Sequence, residues 1–309
     1  MIQTENLHKH YGAVHALDGL TMTVEPGSIY GFLGPNGAGK TTTLRILTGL
    51  AGATSGRASV AGVDLKTDGR TLSRRIGFLP EEPAFYPWMT PREFLDYLGR
   101  LHGLSAADRS KQIRELLDLV HLAEVAKRRI GGFSRGMRQR LGLAAAMIHN
   151  PDVLMLDEPV SALDPAGRKE MLETIEDLRG HCTVLMSSHI LADVERVCNV
   201  VGIIAKGRMI VQSPREALMD RYAQPVFEAD GEEAAAVQRW ADMVKVQPWA
   251  SSVVVNGSVL RITVTDVTRA RKELLASAVA QNVLLRRYEE VRPSLEDIFL
   301  QLTDKEVAQ

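Results

Sequence analysis

Nine consecutive residues, Gly34-Pro35-Asn36-Gly37-Ala38-Gly39-Lys40-Thr41-Thr42, carry the densest chemical signal in the chain. Their spacing satisfies GxxxxGK[ST], a loop whose glycines let backbone N–H groups turn inward onto phosphate oxygens. The loop follows an apolar run ending at Leu33 and precedes a helical pattern, so a helix N-terminus adds partial positive charge there. In that setting Lys40 reaches the β- and γ-phosphates and the Thr41 hydroxyl binds Mg²⁺. Well downstream, Val153-Leu154-Met155-Leu156 ends in Asp157 and Glu158. A buried strand would deliver Asp157 to a sheet edge, where it can hold Mg²⁺ through water. Glu158 then stands where it can polarise an attacking water as a general base.

A third segment, Phe133-Ser134-Arg135-Gly136-Met137-Arg138-Gln139, lies just upstream of those acids. Ser134 is placed to cap a helix whose N–H groups and dipole can face a phosphate. The segment resembles the signature motif of ABC ATPases, usually LSGGQ. Arg135 and Met137 stand where Gly and Gln are commoner, a form similar to the type-2 exporter branch. The resemblance extends in order along the chain. Ser161-Ala162-Leu163-Asp164 is similar to the family's D-loop, and His189, after Ser187-Ser188, to the switch histidine that contacts the γ-phosphate. Tyr11 resembles the aromatic residue that stacks on adenine, a contact that does not itself select ATP over GTP. At the position where the family commonly has Gln, this chain has Glu81, within Leu79-Pro80-Glu81-Glu82-Pro83. Glu81 is either a ligand near Mg²⁺ or a linker residue.

These residues need elements to hold them. Apolar runs at 28–33, 76–79, 153–157, 183–187 and 200–204 read as strands, several apolar throughout as in sheets covered on both faces. Strands alternating with helical patterns predict an α/β domain with a largely parallel sheet over residues 1–220. A helical insert is expected over about 90–149. It opens at Thr90-Pro91-Arg92-Glu93, a capping box with proline at the first helical position, and Gly103 and Ser105 divide it. Phe85, Tyr86, Trp88, Phe94 and Tyr97 crowd into a short interval, as either the core of the insert or a groove for a partner's helix. The basic clusters Lys127-Arg128-Arg129 and Arg135/Arg138/Arg140 read as solvated faces, with Arg135 and Arg138 alternatively near nucleotide.

After Ser213-Pro214 a helix through Tyr222 leads to Pro225, and a second domain is expected over 226–309. Its pattern reads βαββαβ, the order of a small ferredoxin-like unit. The hairpin in its middle is expected at 252–255 and 259–264, turning at Asn256-Gly257. Pro293-Ser294-Leu295-Glu296-Asp297 signals a final helix, similar to the Leu-Glu-Asp-like helix that ends related exporter ATPases.

Lys plus Arg total 37 against 38 for Asp plus Glu, a net charge of −1 that disfavours bulk binding to nucleic acid or anionic lipid. Two cysteines without metal-ligand or CxxC spacing fit a reducing compartment. No window is long and apolar enough for a membrane span, and the first residues lack a signal-peptide core. The resemblance therefore implies a cytosolic ATP-binding subunit of an ABC transporter, most simply an exporter, at the cytoplasmic face of the membrane with a separate permease. It also implies that ATP and Mg²⁺ lie on Tyr11, the 34–42 loop, Asp157, Glu158 and His189 of one copy. Ser134, Gly136, Met137 and Asp164 would complete the site of a second copy in a head-to-tail homodimer. ABC ATPases of ribosomes or chromosomes are rivals. The former usually join two nucleotide domains, and the latter insert a coiled coil longer than the interval from Thr42 to Ser134. A lone P-loop kinase or GTPase would not need the signature serine, and an importer subunit differs only in its partner.

Overall fold

The computed structural model describes residues 1–309 except 68, 162, 222–224, 292–293, 300–301 and 303–309. The expectations touching Ala162, Tyr222, Pro293 and the end of the 226–309 domain fall on or reach residues outside that set. The chain divides into two compact units, Met1–Arg215 and Glu216–Gln309.

The first unit opens with a hairpin, β1 (Ile2–Tyr11) and β2 (Val14–Val24), then β3 (Ile29–Leu33) and α1 (Lys40–Leu47). Next come β4 (Ser55–Val60), β5 (Val63–Asp64), α2 (Gly69–Arg75) and β6 (Ile76–Leu79). The helical insert is built from α3 (Pro91–Leu101), α4 (Ala106–Leu119) and α5 (Arg135–Met147), with short 3₁₀ turns before α5. Then β7 (Val153–Asp157), α6 (Pro165–Asp177), β8 (Thr183–Ser188), α7 (Leu191–Val197), β9 (Val200–Ala205) and β10 (Arg208–Pro214) run in order, and α8 (Arg215–Arg221) starts at the boundary and belongs to the second unit from Glu216 on.

The main sheet has six strands in the order β10-β9-β3-β8-β7-β6. All neighbours are parallel except β10, which pairs antiparallel with β9. Every residue of β3, β7 and β8 is buried, as strands covered on both faces require. Tyr30, Phe32, Leu44, Met155, Leu185 and Ile204 belong to the core between this sheet and its neighbours. That core also takes in the second sheet, β2-β1-β4-β5, which is antiparallel and absent from the sequence reading. The capping box at Thr90 and Glu93 forms as expected, and Ser105 caps α4.

The second unit contains β11 (Val226–Gly231), α9 (Ala234–Val244), β12 (Ala250–Asn256), β13 (Val259–Val264), α10 (Val267–Ala280) and β14 (Leu285–Val291). Its sheet order, β12-β13-β11-β14, is antiparallel throughout and realises the ferredoxin-like order. Phe227, Trp240, Trp249, Leu260, Ile262 and Leu274 fill its own core. The hairpin turn sits one residue later than expected, at Gly257-Ser258, with Asn256 paired to Val259. The reason is packing at a distance. The observed register sets Val255 against Leu260, and the Gly231 N–H donates to Ser258 O at 2.9 Å, tying the turn to the end of β11. A turn at 256–257 would bring Val255 opposite Ser258. Ser294 caps a final helical turn in which Leu295 and Ile298 are buried and Asp297 accepts from Arg261 at 2.9 Å.

Candidate functional site

Four adjacent parallel strands, β3, β8, β7 and β6, point their carboxyl ends to one edge of the main sheet. Leu33 pairs with Ser188 and Asp157 with Ser187, so the loops leaving these strands emerge side by side, about 4.8 Å apart from strand to strand. This is why the phosphate loop, Glu158, His189 and Glu81 meet although the sequence scatters them. Together with Tyr11 they line one cavity of about 470 Å³, in which Asn36–Thr42, Val14, His15 and Ala16 also take part. In parallel α/β sheets this edge is the usual place for ligands.

The loop is shaped by close approach. At Gly39, φ is 110°, and an added Cβ would stand 2.6 Å from Ala16 O; at Gly34 it would stand 2.4 Å from Ile204 O. Only glycine fits both positions. Lys40 begins α1 and donates back to Gly34 O at 2.6 Å and Pro35 O at 3.4 Å, with Glu158 Oε1 at 3.8 Å. Burial pulls its ammonium below the usual lysine value, and Glu158, Asp157 and Glu81 oppose that shift.

Asp157 is 2% exposed, and its Oδ1 accepts from Ser187 Oγ at 2.6 Å and from Thr41 Oγ1 at 3.3 Å. Ser187 Oγ in turn accepts the Glu158 N–H at 3.0 Å. Glu158 adopts φ 49°, a left-handed conformation that costs a non-glycine residue about 1 kcal/mol. The turn aims its carboxylate back into the cavity, where Oε2 accepts from His189 Nδ1 at 2.8 Å. A carboxylate only accepts, so Nδ1 carries the proton in this pair. Burial raises the Glu158 pKa above the ordinary range, with His189 and Lys40 acting against it. A buried carboxylate of raised basicity, held beside a lysine and a histidine, suits proton abstraction from water. Thr41 Oγ1 and Asp157 Oδ1 are hard oxygen donors converging on one point, the ligand type that Mg²⁺ takes.

Tyr11 ends β1, 48% exposed, with Lys9 Nζ lying 4.7 Å from its ring centroid. The cation lies over the ring of a residue that also lines the cavity. Glu81 lines the same cavity, two residues beyond β6.

Seven expected residues are absent from that cavity's lining: Gly34, Pro35 and Asp157, whose chain neighbours Asn36 and Glu158 line it, and Ser134, Gly136, Met137 and Asp164. Ser134 caps α5, accepting from the Met137 N–H at 3.2 Å, with Gly136 on the helix's first turn. Asp164 caps α6, accepting from the Gly167 N–H at 2.8 Å. None of Ser134, Gly136, Met137 or Asp164 is among the cavity's lining residues. Sequence reasoning missed Ser187, which joins Asp157 to Glu158, and His15, which lines the cavity. The role of Ser187 depends on the Asp157–Ser187 strand pairing, which no local pattern announces.

The sequence matches the family described as ABC transporter over residues 17–161, and the DrrA1-3-like C-terminal domain of ATP-binding proteins over residues 214–303. The linearmycin resistance ATP-binding protein LnrL of Bacillus subtilis (strain 168) is 34% identical over 314 residues, 99% of each chain. The bacitracin transport ATP-binding protein BcrA of Bacillus licheniformis is 42% identical over 223 residues, 72% of each chain. A solved structure described as the ATP-binding subunit of an ABC transporter has a TM-score of 0.67 at 29% identity, covering 72% of this chain and 93% of that one.

Proposed function

Because this chain belongs to the ABC transporter family of ATP-binding subunits, an ATPase family, we propose that it powers export through a separate membrane permease. The observation that carries this reading is the segregation of the two motif sets. The phosphate loop, Glu158 and His189 line one cavity, while the Ser134-capped helix presents its N-terminus elsewhere. A single copy thus holds half of each composite site, and two copies arranged head to tail complete two. In this reading residues 1–220 form the ATP-binding domain and 226–309 an accessory domain.

Within one copy, Tyr11 offers its ring to the base and the 34–42 loop wraps the phosphates. Lys40 exchanges its carbonyl partners Gly34 and Pro35 for phosphate oxygens. Thr41 and Asp157 would hold Mg²⁺, which when bound neutralises phosphate charge; Glu81 approaches the same region. Glu158 takes a proton from the attacking water, and His189, fixed through Nδ1, presents Nε2 toward the γ-phosphate side. The partner copy contributes Ser134, Gly136 and Met137, with Asp164 on the neighbouring loop. Relatives named for linearmycin resistance and bacitracin transport support the outward direction. Among the described residues no helix is long and apolar enough to cross a membrane; by its kinship with transporter ATP-binding subunits, this reading places the chain on the cytoplasmic face beside a permease. Tyr86, Trp88 and Tyr97 cluster at ring separations of 5.2 and 6.0 Å, and Trp88 is 62% exposed, which supports docking of a permease segment there.

The test is assembly coupled to chemistry. On a sizing column, Glu158→Gln loaded with Mg-ATP is expected to run as a dimer, while wild type returns to monomer as ATP is consumed. Two profiles that stay monomeric at saturating nucleotide would overturn the composite site.

A further inference from the structure

One ion pair with a buried acid joins the two helices that leave the hydrolytic edge. α6 starts at its cap Asp164, and Arg168 on its first turn donates its N–H to Asp164 O at 2.8 Å. α7 starts two residues after His189, and Asp193 on its first turn is buried. Arg168 places both Nε and Nη2 at 2.7 Å from Asp193 Oδ1. Among the described residues, Asp193 Oδ2 is buried with no hydrogen-bond partner. Two donors on one oxygen, with the other left dry, make a poor source of stability, because desolvation offsets much of the attraction. Burial accordingly pushes the Asp193 carboxyl up, with Arg168 opposing. The same helices are also fastened by the more exposed pair Arg196–Glu173 at 3.0 Å. Helix packing therefore does not depend on the Asp193 pair alone.

Asp193 leads back to His189 in short steps. Its N–H donates to Ile190 O at 3.3 Å, and the Ile190 N–H donates to Ser188 Oγ at 2.9 Å, bracketing His189. His189 then donates through Nδ1 to Glu158. We propose that Arg168 and Asp193 are positioning residues for hydrolysis: their ion pair locks the first turn of α7 to the Asp164-capped helix and so holds His189 on Glu158. A neighbouring copy that touches the Asp164 loop would act on the hydrolytic pair through this link. The inference rests on the reading of Glu158 and His189 as the hydrolytic pair.

The full chain is compared as wild type, Arg168→Met, Arg168→Lys, Asp193→Asn and Glu173→Ala. Arg168→Met is expected to slow single-turnover hydrolysis of bound Mg-ATP roughly 10- to 100-fold, the scale of a small misplacement of a catalytic group. Its Mg-ATP affinity stays within about twofold, because the Lys40 loop is untouched. Arg168→Lys recovers most of the rate, and Glu173→Ala hydrolyses as wild type does. The ¹⁵N shifts of the His189 ring report one Nδ1-protonated tautomer in wild type and an exchanging mixture in Arg168→Met. Should Arg168→Met not fold, Asp193→Asn, similar in size, is expected to give the same loss of rate and the same exchanging signature. Wild-type rate and unchanged His189 shifts in the folded variants would overturn the proposal. So would an equal loss in Glu173→Ala, which would reduce the pair to helix packing. Failure of the underlying reading looks different: Glu158→Gln would then hydrolyse ATP at the wild-type rate whatever stands at 168.

Discussion

In the proposed function Lys40 serves nucleotide binding and Glu158 serves hydrolysis. Lys40 supplies the cation within the loop, so Lys40→Ala is expected to lose most Mg-ATP affinity while the far-ultraviolet circular dichroism spectrum stays native; retained affinity in a titration would remove the loop from the site. Glu158→Gln keeps the shape and the acceptor for His189 but removes the basic oxygen. Its single-turnover rate should fall by ~10²–10⁴-fold with nucleotide affinity nearly intact, the usual contribution of a general base. Acid should reveal the same group. Burial raises the Glu158 pKa, so on acidification it takes up its proton earlier than an exposed glutamate would. The hydrolysis rate should therefore begin to decline above the ordinary glutamate value of about 4.3, and a profile flat to that point would place the base elsewhere. At this scale the sequence was nearly sufficient. Spacing named the loop and, beside it, Glu158, while His189 came from the family resemblance; the structure gathers all three around one cavity. The sequence was silent on Ser187, because a hydroxyl bridging Asp157 Oδ1 and the Glu158 N–H exists only once β7 and β8 are paired.

Among the elements, the caps were legible and the bulged strands were not. Thr90, Ser105, Ser134 and Asp164 all accept from the third residue of the helix they open, a local rule that a sequence displays openly. β1 and β2 pair through register shifts near Leu7 and Lys9, which break the alternation a strand search relies on. β4, with Ser55, Gly56, Arg57 and Ser59, carries too few apolar residues to show at all. The Ser134 cap can be tested directly. Ser134→Arg should leave nucleotide binding by one copy intact yet abolish ATP-driven dimerisation, since a large cation would fill the contact; a dimer of wild-type stability would reject it. The helical insert also has a pH-sensitive seam. His102 and His149 stack at 3.9 Å, and the His149 Nε2–H donates to Ile76 O at 2.9 Å. Burial lowers both pKa values below 6.5, reinforced at His149 by His102. Below 6.5 the unfolded chain therefore binds more protons than the folded one, so this stability is present above that pH and drains away as pH falls through it. The melting temperature should drop more steeply between about pH 7.5 and 5.5 in wild type than in His102→Asn/His149→Gln. Equal slopes would show that the seam is inert.

At the scale of the whole molecule, two separate cores in one chain make stability and nucleotide binding separable. Leu274 is fully buried in the second unit, so Leu274→Ala should destabilise that unit by about 2–5 kcal/mol. Nucleotide affinity should stay at the wild-type value. Trp240 and Trp249 belong to that core, so their fluorescence follows its unfolding; a parallel loss of nucleotide affinity would refute the separation. The ferredoxin-like order was readable from hydrophobic alternation, whereas the exact turn of its hairpin was fixed by Ser258 against β11. The division after Arg215 also has a consequence in time. All six strands of the main sheet, and every residue of the nucleotide cavity, precede that point. A ribosome adding roughly 5–20 residues per second needs several more seconds to finish the second unit. During that interval the nascent first unit already has its whole sheet, so nucleotide can enter and stabilise it by mass action before synthesis ends.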